Sequence, residues 1–214
     1  MLFADYSPFN SEPIIAVVTL GDKSTPVWQQ SKWKTGRYQE FVRKNGCGHC
    51  CAAMALNFYG IKIDPHGEFT LCRELWGAPG VHQGNYQTVA GITKILRHYG
   101  VAAQYFGVPS RRSALEHIHK VLQEGKQVII WTPGKATFAD NPFSFGEHYI
   151  MAVGFTKDGQ ILVANSSAKC APTGVQMVDL SIIEQALYLD TTPDDKTWGE
   201  GACHEKCAGY VVVG

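Results

Sequence analysis

The chain has 214 residues, enough for one domain with a substantial core or one domain plus a small lobe. Apolar residues make up 45% and charged residues 18%, which excludes a disordered or fibrous chain. Lys and Arg total 19, as do Asp and Glu, so no global field favours nucleic acid or an anionic membrane surface.

The first twenty residues, MLFADYSPFNSEPIIAVVTL, carry an early Asp and Pro. Their apolar run, Ile14 to Leu20, lacks a basic leader and a cleavage site, so it is a poor signal peptide and reads as a buried strand. No apolar stretch approaches the ~20 residues that span a bilayer. As written, the sequence predicts a cytoplasmic protein with no membrane partner and residues 1–214 in a single domain; secretion by another route stays open. Residues 21–46 are polar, carry Trp28, Gln29, Gln30, Trp33 and Gln39 without a clean period, and read as a loop entering a turn at Asn45-Gly46.

From Cys47 to Gly60 no residue is charged, and both sides of the helical pattern are apolar. The spacing predicts a buried helix that begins at Cys47 and ends at Gly60. Amphipathic helices follow over 86–99 (Val89, Ile92, Leu96 and Tyr99) and 112–124 (Leu115, Ile118, Val121 and Leu122). QVIIWTP is a short buried strand, and 133–146, with Gly, Pro, Asp, Asn and three Phe, a mobile loop. HYIMAVGF and QILVAN read as a hairpin, followed by a short helix at Leu180–Leu187 and a last strand, GYVVVG. Helices early and strands late predict an α+β protein, a helical part with a central buried helix packed on an antiparallel sheet.

Cys47 lies between glycines at the start of that central helix. Glycines let the backbone turn sharply and let a substrate approach closely. The free N–H groups and positive dipole end of the helix face the sulfur, which predicts a thiol pKa lowered from about 8.5 toward ~3.5–7.5. The thiolate is the nucleophilic form. Cys50 and Cys51, inside the apolar helix, read as buried structural cysteines. A nucleophilic thiol needs a base. His117 and His119 lie on an amphipathic helix, His98 near the end of one, and His66, His82 and His204 in polar loops; His49 is too near Cys47 in sequence to face its sulfur.

His148 opens a strand and shares a face with Ile150, Ala152 and Gly154. Small residues on that face predict that the Cys47 helix packs there. Asn165 ends the next strand on the same face if the strands pair antiparallel. A two-residue turn would set it opposite Ala152, a four-residue loop opposite Ile150, and a six-residue loop opposite His148; a longer loop brings the side chains within reach. A turn residue leaving the strand is the alternative for Asn165.

GCGHCCAAMALNFYG, GEHYIMAVGF about a hundred residues on, and GQILVANS together resemble the bacteriocin-leader-peptidase-like branch of the papain-like cysteine peptidases. The upstream WQQSKW resembles that family's Gln-containing segment, and the resemblance covers roughly residues 28 to 167. It implies the papain-like fold, a thiolate–imidazolium pair of Cys47 and His148 oriented by Asn165, and an acyl-enzyme formed from a peptide or protein substrate without a cofactor. It also implies an oxyanion hole made by the Cys47 N–H and a glutamine, Gln30 by context or Gln39 by proximity. Asn165 stands where this branch more often has Asp, and His49-Cys50 replaces a usual Pro and small polar residue.

Three rival readings remain. Cys47-Gly48-His49-Cys50 is a C-x-x-C at a helix N-terminus, the mark of a thiol redox protein, although such proteins have a strand just before it. Cys203, His204 and Cys207, with Cys170, offer zinc ligands or a disulfide. A non-catalytic binding module on the same fold is the third. Peptide, isopeptide and amide cleavage and acyl transfer share one chemistry. The chain has neither a membrane domain nor a phosphate loop, so cleavage of double-glycine leaders is not implied. Trp131 and Phe143 to Phe145 flank His148 as core or as an apolar subsite; Trp131 reads as core.

Overall fold

The computed structural model describes residues 2–34, 36–76, 88–135, 138–189 and 209–214. Three strands open the chain: β1 (Ala4–Ser11), β2 (Ile14–Leu20) and β3 (Lys23–Trp28) form an antiparallel sheet in that order. This corrects the expectation that helices come first. In β2 only Ala16, Val18 and Leu20 are buried, so the run expected as a buried strand is a half-buried one. The segment expected as a loop over 21–46 instead holds β3, a 3-10 turn at Gln30–Lys32 and helix α1 (Gln39–Asn45). Polar side chains on its exposed positions mask both periods.

Helix α2 (Cys47–Phe58) is buried at every position from Gly48 to Phe58, as its uncharged sequence dictates. Gly60, at φ +84, lies just beyond its end. Helix α3 (Pro65–Trp76) follows, and places His66, expected in a loop, in its first turn. Thr88 caps α4 (Val89–His98) by accepting a bond from the Gly91 N–H, and Ser110 caps α5 (Arg111–Gln123) through the Ser113 N–H. A second sheet has six antiparallel strands in the order β4 (Ala103–Phe106), β9 (Tyr210–Val213), β5 (Gln127–Thr132), β6 (His148–Phe155), β7 (Ile161–Ala164) and β8 (Val175–Val178). Helix α6 (Leu180–Ala186) lies between β8 and β9 in sequence.

Alternation in β5 and β6 divides the core. Ile129, Trp131, Tyr149, Met151 and Val153 pack with α2, whereas Val128, Ile130, Ile150 and Ala152 pack with α5 and α6. The six-stranded sheet therefore separates two apolar layers. The Cys47 helix lies on the odd-numbered face of β6, not on the face of Ile150 and Ala152 where the small residues had placed it. Small residues serve another contact: a Cβ on Gly154 would meet Leu20 Cδ1 at 3.0 Å, so this glycine admits the N-terminal sheet against β6.

The β6–β7 connection spans residues 156–160, and the first pair, Phe155 with Ile161, would by itself turn Asn165 to the wrong face. A bulge between Ala152 and Gly154 shifts the register by one, giving Met151 opposite Ala164. Continued by one residue, that register sets Asn165 in line with Ile150, the position expected of a four-residue loop. The 133–146 segment, expected to be mobile, is anchored where it is described. Buried Asn141 donates to Thr132 Oγ1 and the Pro133 carbonyl and accepts from the Phe143 N–H, and Phe143 is fully buried.

Among the described residues no helix is long and apolar enough to cross a membrane.

Candidate active site

Helix α1 ends where α2 begins, with Gly46 as the joint. Its backbone is ordinary (φ −86, ψ 13); the requirement is space, because a Cβ there would run into the Val42 carbonyl oxygen. This differs from the sharp turn expected of Gly46. No side chain caps α2, so its first N–H groups are left to other acceptors. The backbone N–H groups of Cys47 and Gly48, with that of Tyr149 from β6, lie near the Cys47 sulfur and favour its thiolate. The nucleophile candidate thus sits against the His148–Tyr149 peptide, where the first residues of α2 meet the start of β6.

His148 is buried at 6% exposure, and its Nε2 lies 2.8 Å from Asn165 Oδ1. Asn165 is fully buried. Its Oδ1 also accepts from the Ser167 N–H at 2.9 Å, and its Nδ2 donates to the Phe143 carbonyl at 3.0 Å and to Gln176 Oε1 at 2.7 Å. Two donors meet the oxygen and two acceptors meet the nitrogen, which fixes the amide's orientation. Because Oδ1 only accepts, the neutral His148 ring carries its proton on Nε2 and keeps its lone pair on Nδ1.

Cys47 and His148 line one cleft of about 510 Å³, together with Gln30, Tyr149, Trp131 and Ser166. Gln30 returns across seventeen positions because its backbone N–H bonds the Ser166 carbonyl at 3.1 Å, next to Asn165. Gln39, the other glutamine considered, is exposed at the start of α1 and is absent from the cleft lining. Trp131 belongs to the core and also lines the cleft; Phe143 is core, and Phe145 is 61% exposed under Lys135.

Electrostatics overturn one expectation. Burial pushes the Cys47 thiol above its ordinary pKa, outweighing the Tyr149, Gly48 and Cys47 N–H groups that pull it down. Burial also pulls His148 down to about 4, against the opposing bond from Asn165. The thiol does not ionise early on the strength of the helix end alone, because removing water costs more than three N–H donors return. Both shifts favour the neutral forms, thiol and imidazole.

His49, Glu68 and Cys72 form a second cluster, all three buried, with donor atoms within 4.8 Å of one another. His49 Nδ1 hydrogen-bonds Glu68, and the Cys72 thiol donates to Glu68 Oε1 at 3.2 Å. These are metal-ligand types, yet they satisfy one another as a hydrogen-bonded set walled by Phe41 and Phe69. Sequence patterning does not announce this cluster: Glu68 and Cys72 are four apart on a helix, α3, that hydrophobic periodicity does not mark. Cys50 and Cys51 are fully buried, as expected. The redox reading lacks its preceding strand, since α1 occupies that place. Of the zinc candidates, Cys170 is a half-buried free thiol, and Cys203, His204 and Cys207 lie outside the described residues, as does His82.

A comparison with the curated proteins gives no significant match. Among solved structures, the crystal structure of a candidate C39-like peptidase from Bacillus anthracis shares 16% identity over 80% of this chain and 89% of that one, with a TM-score of 0.47. Residues 23–192, most of the chain, match the Peptidase_C39 like family. The protein therefore has the α+β papain-like fold and belongs to the Peptidase_C39-like family.

Proposed function

We propose that this protein is a cysteine hydrolase that cleaves a peptide or amide bond by way of an acyl-enzyme on Cys47. The observation that carries the reading is the His148 Nε2–Asn165 Oδ1 bond at the edge of a cleft shared with Cys47 and Gln30. As the sulfur attacks the substrate carbonyl, His148 Nδ1 takes the thiol proton, and Asn165 steadies the imidazolium through Nε2–H. The Cys47 N–H and the Gln30 carboxamide receive the oxyanion. Collapse breaks the C–N bond, and the leaving amine takes the proton from Nδ1. A water then gives Nδ1 a proton and attacks the thioester, releasing the acid and restoring the thiol.

Because burial favours the neutral thiol and the neutral imidazole, His148 acts in this reading as a general base during attack rather than as half of a standing ion pair. Family membership supports a peptide or protein substrate. The Gly46-Cys47-Gly48 opening of α2 and the HYIMAVGF strand support a place on the bacteriocin-leader-peptidase-like branch.

The test is to incubate a peptide mixture with the wild-type protein and with Cys47→Ala, and to read new termini by mass spectrometry. New termini found only with wild type support the reading, as does a Cys47 thioester trapped at acid pH. No cleavage by wild-type protein, with no acylated Cys47, would overturn it.

A further inference from the structure

Asn165 does not hold His148 alone. Gln176 lies on β8, where Val163 pairs with Gln176 and the Asn165 N–H bonds the Gly174 carbonyl. That register makes Gln176 the diagonal neighbour of Asn165 on one sheet face, just as Asn165 is the diagonal neighbour of His148. Three polar side chains therefore run obliquely across β6, β7 and β8, along the edge of a face otherwise filled by Ile150, Ala152 and Val163.

Gln176 spends its whole amide here. Oε1 accepts from Asn165 Nδ2 at 2.7 Å, and Nε2 donates to the Pro142 carbonyl at 2.8 Å and the Cys170 carbonyl at 3.3 Å. Pro142 belongs to the segment that carries Ser144 and Glu147 to one wall of the cleft, and Cys170 to the segment that carries Ser167 and Lys169 to the other. One side chain thus joins both walls to the residue that orients the histidine.

We infer that Gln176 is a positioning residue: it locks the Asn165 amide in the orientation that keeps the proton on His148 Nε2, and ties that orientation to the two cleft walls. The inference rests on the proposed Cys47–His148 chemistry. Without Gln176, one Asn165 N–H loses its acceptor, and the amide is held by fewer bonds against rotation. Misplacement of the imidazole by a fraction of an ångström lowers the fraction of encounters in which Nδ1 meets the thiol.

The experiment follows the rate of Cys47 alkylation by iodoacetamide from pH 3 to 10, alongside thermal melting, without needing a substrate. Between about pH 4, where His148 loses its proton, and the raised pKa of Cys47, thiol–imidazole and thiolate–imidazolium differ only in where one proton sits. Their ratio is then independent of pH, and wild type should show a plateau in that window. Gln176→Met, close in size but without the amide, should lower the plateau by about tenfold while leaving the alkaline limb, which reports the free thiolate, unchanged. Gln176→Glu keeps an acceptor for Asn165 and loses both wall bonds. It should retain most of the plateau, whereas Gln176→Ala, which removes the acceptor, should lower it as Gln176→Met does and carries the test if Gln176→Met does not fold.

A purely structural Gln176 would lower the melting temperature and leave the plateau at its wild-type height. That result, with the plateau lost in His148→Ala and Asn165→Ala, would overturn the inference alone. A plateau unchanged in all three variants would overturn the Cys47–His148 reading along with it.

Discussion

Two histidines flank the candidate nucleophile, and the protein treats them in opposite ways. His49 is two residues from Cys47 on the same helix, sealed at 1% exposure against Glu68 and between the rings of Phe41 and Phe69. His148 is a hundred residues away, equally dry, yet it lines the cleft with one nitrogen held by an amide. A carboxylate partner fastens a helix; an amide partner fixes a tautomer. Nearness in sequence and burial do not pick out the base. What separates the two is which ring nitrogen is committed, and whether the ring reaches the cleft.

The sharpest way to break this comparison is to remove each histidine in turn. His148→Ala should cost peptide cleavage on the order of a thousandfold or more, the upper part of what a positioned base supplies, with little loss of stability. His49→Ala should leave the turnover of folded protein within about tenfold of wild type. If His49→Ala loses turnover as completely as His148→Ala while still folded, the division of labour is wrong.

Glu68→Ala tests the helical cluster. It leaves the buried His49 ring and the Cys72 thiol without their shared acceptor, and should cost about 3–5 kcal/mol in a denaturant titration. A change under about 1 kcal/mol would show that the cluster does not hold the helices together.

Gln30→Ala should lower kcat about a hundredfold to a thousandfold, as for loss of one oxyanion donor, with KM little changed. Gln39→Ala, on the exposed start of α1, should match wild type. The reverse pattern would move the oxyanion hole away from the 3-10 turn.

The smallest effect concerns acid. Unfolded His148 takes up its proton near the ordinary pKa of about 6.5, whereas the folded ring does so near 4. As pH falls through that window the unfolded chain binds the proton first, so stability drops, by about 3 kcal/mol for this group. The loss should be smaller in His148→Gln, read from denaturant midpoints at pH 7 and pH 4. An identical acid loss in both proteins would place the titrating group elsewhere.

Legibility followed the range of each interaction. The α2 helix was readable because an uncharged run has one physical meaning, a buried helix, and Gly60 supplies its end. The helices with caps at Thr88 and Ser110 were readable from local pattern. His148 and Asn165 came together as the strand pairing allowed, although through a bulge at Val153 rather than through loop length alone. Bulges leave little mark in a sequence. The strands on either side of β2 were hidden because their outward positions, such as Asp5, Tyr6, Ser7 and Lys23, are polar or isolated aromatics. The face of β6 that receives α2 was misjudged because small residues at 152 and 154 suggested a helix, when Gly154 admits Leu20 of the other sheet. The lowered thiol pKa failed for an energetic reason: helix-end donors are visible in the sequence, but the depth of burial around them is not. Gln176 and Glu68 were invisible because Asn165 and His49, which they hold, lie on other elements.

The most direct measurement is competitive labelling of the native protein with substoichiometric iodoacetamide near pH 6, with each cysteine quantified by peptide mass spectrometry. Among the described thiols, Cys50, Cys51 and Cys72 are sealed, and Cys170 serves as a half-buried reference. The account predicts that Cys47 takes most of the label and that His148→Ala reduces it to the level of Cys170 or below. Label shared between Cys47 and Cys170 in proportion to exposure, and unchanged in His148→Ala, would contradict it.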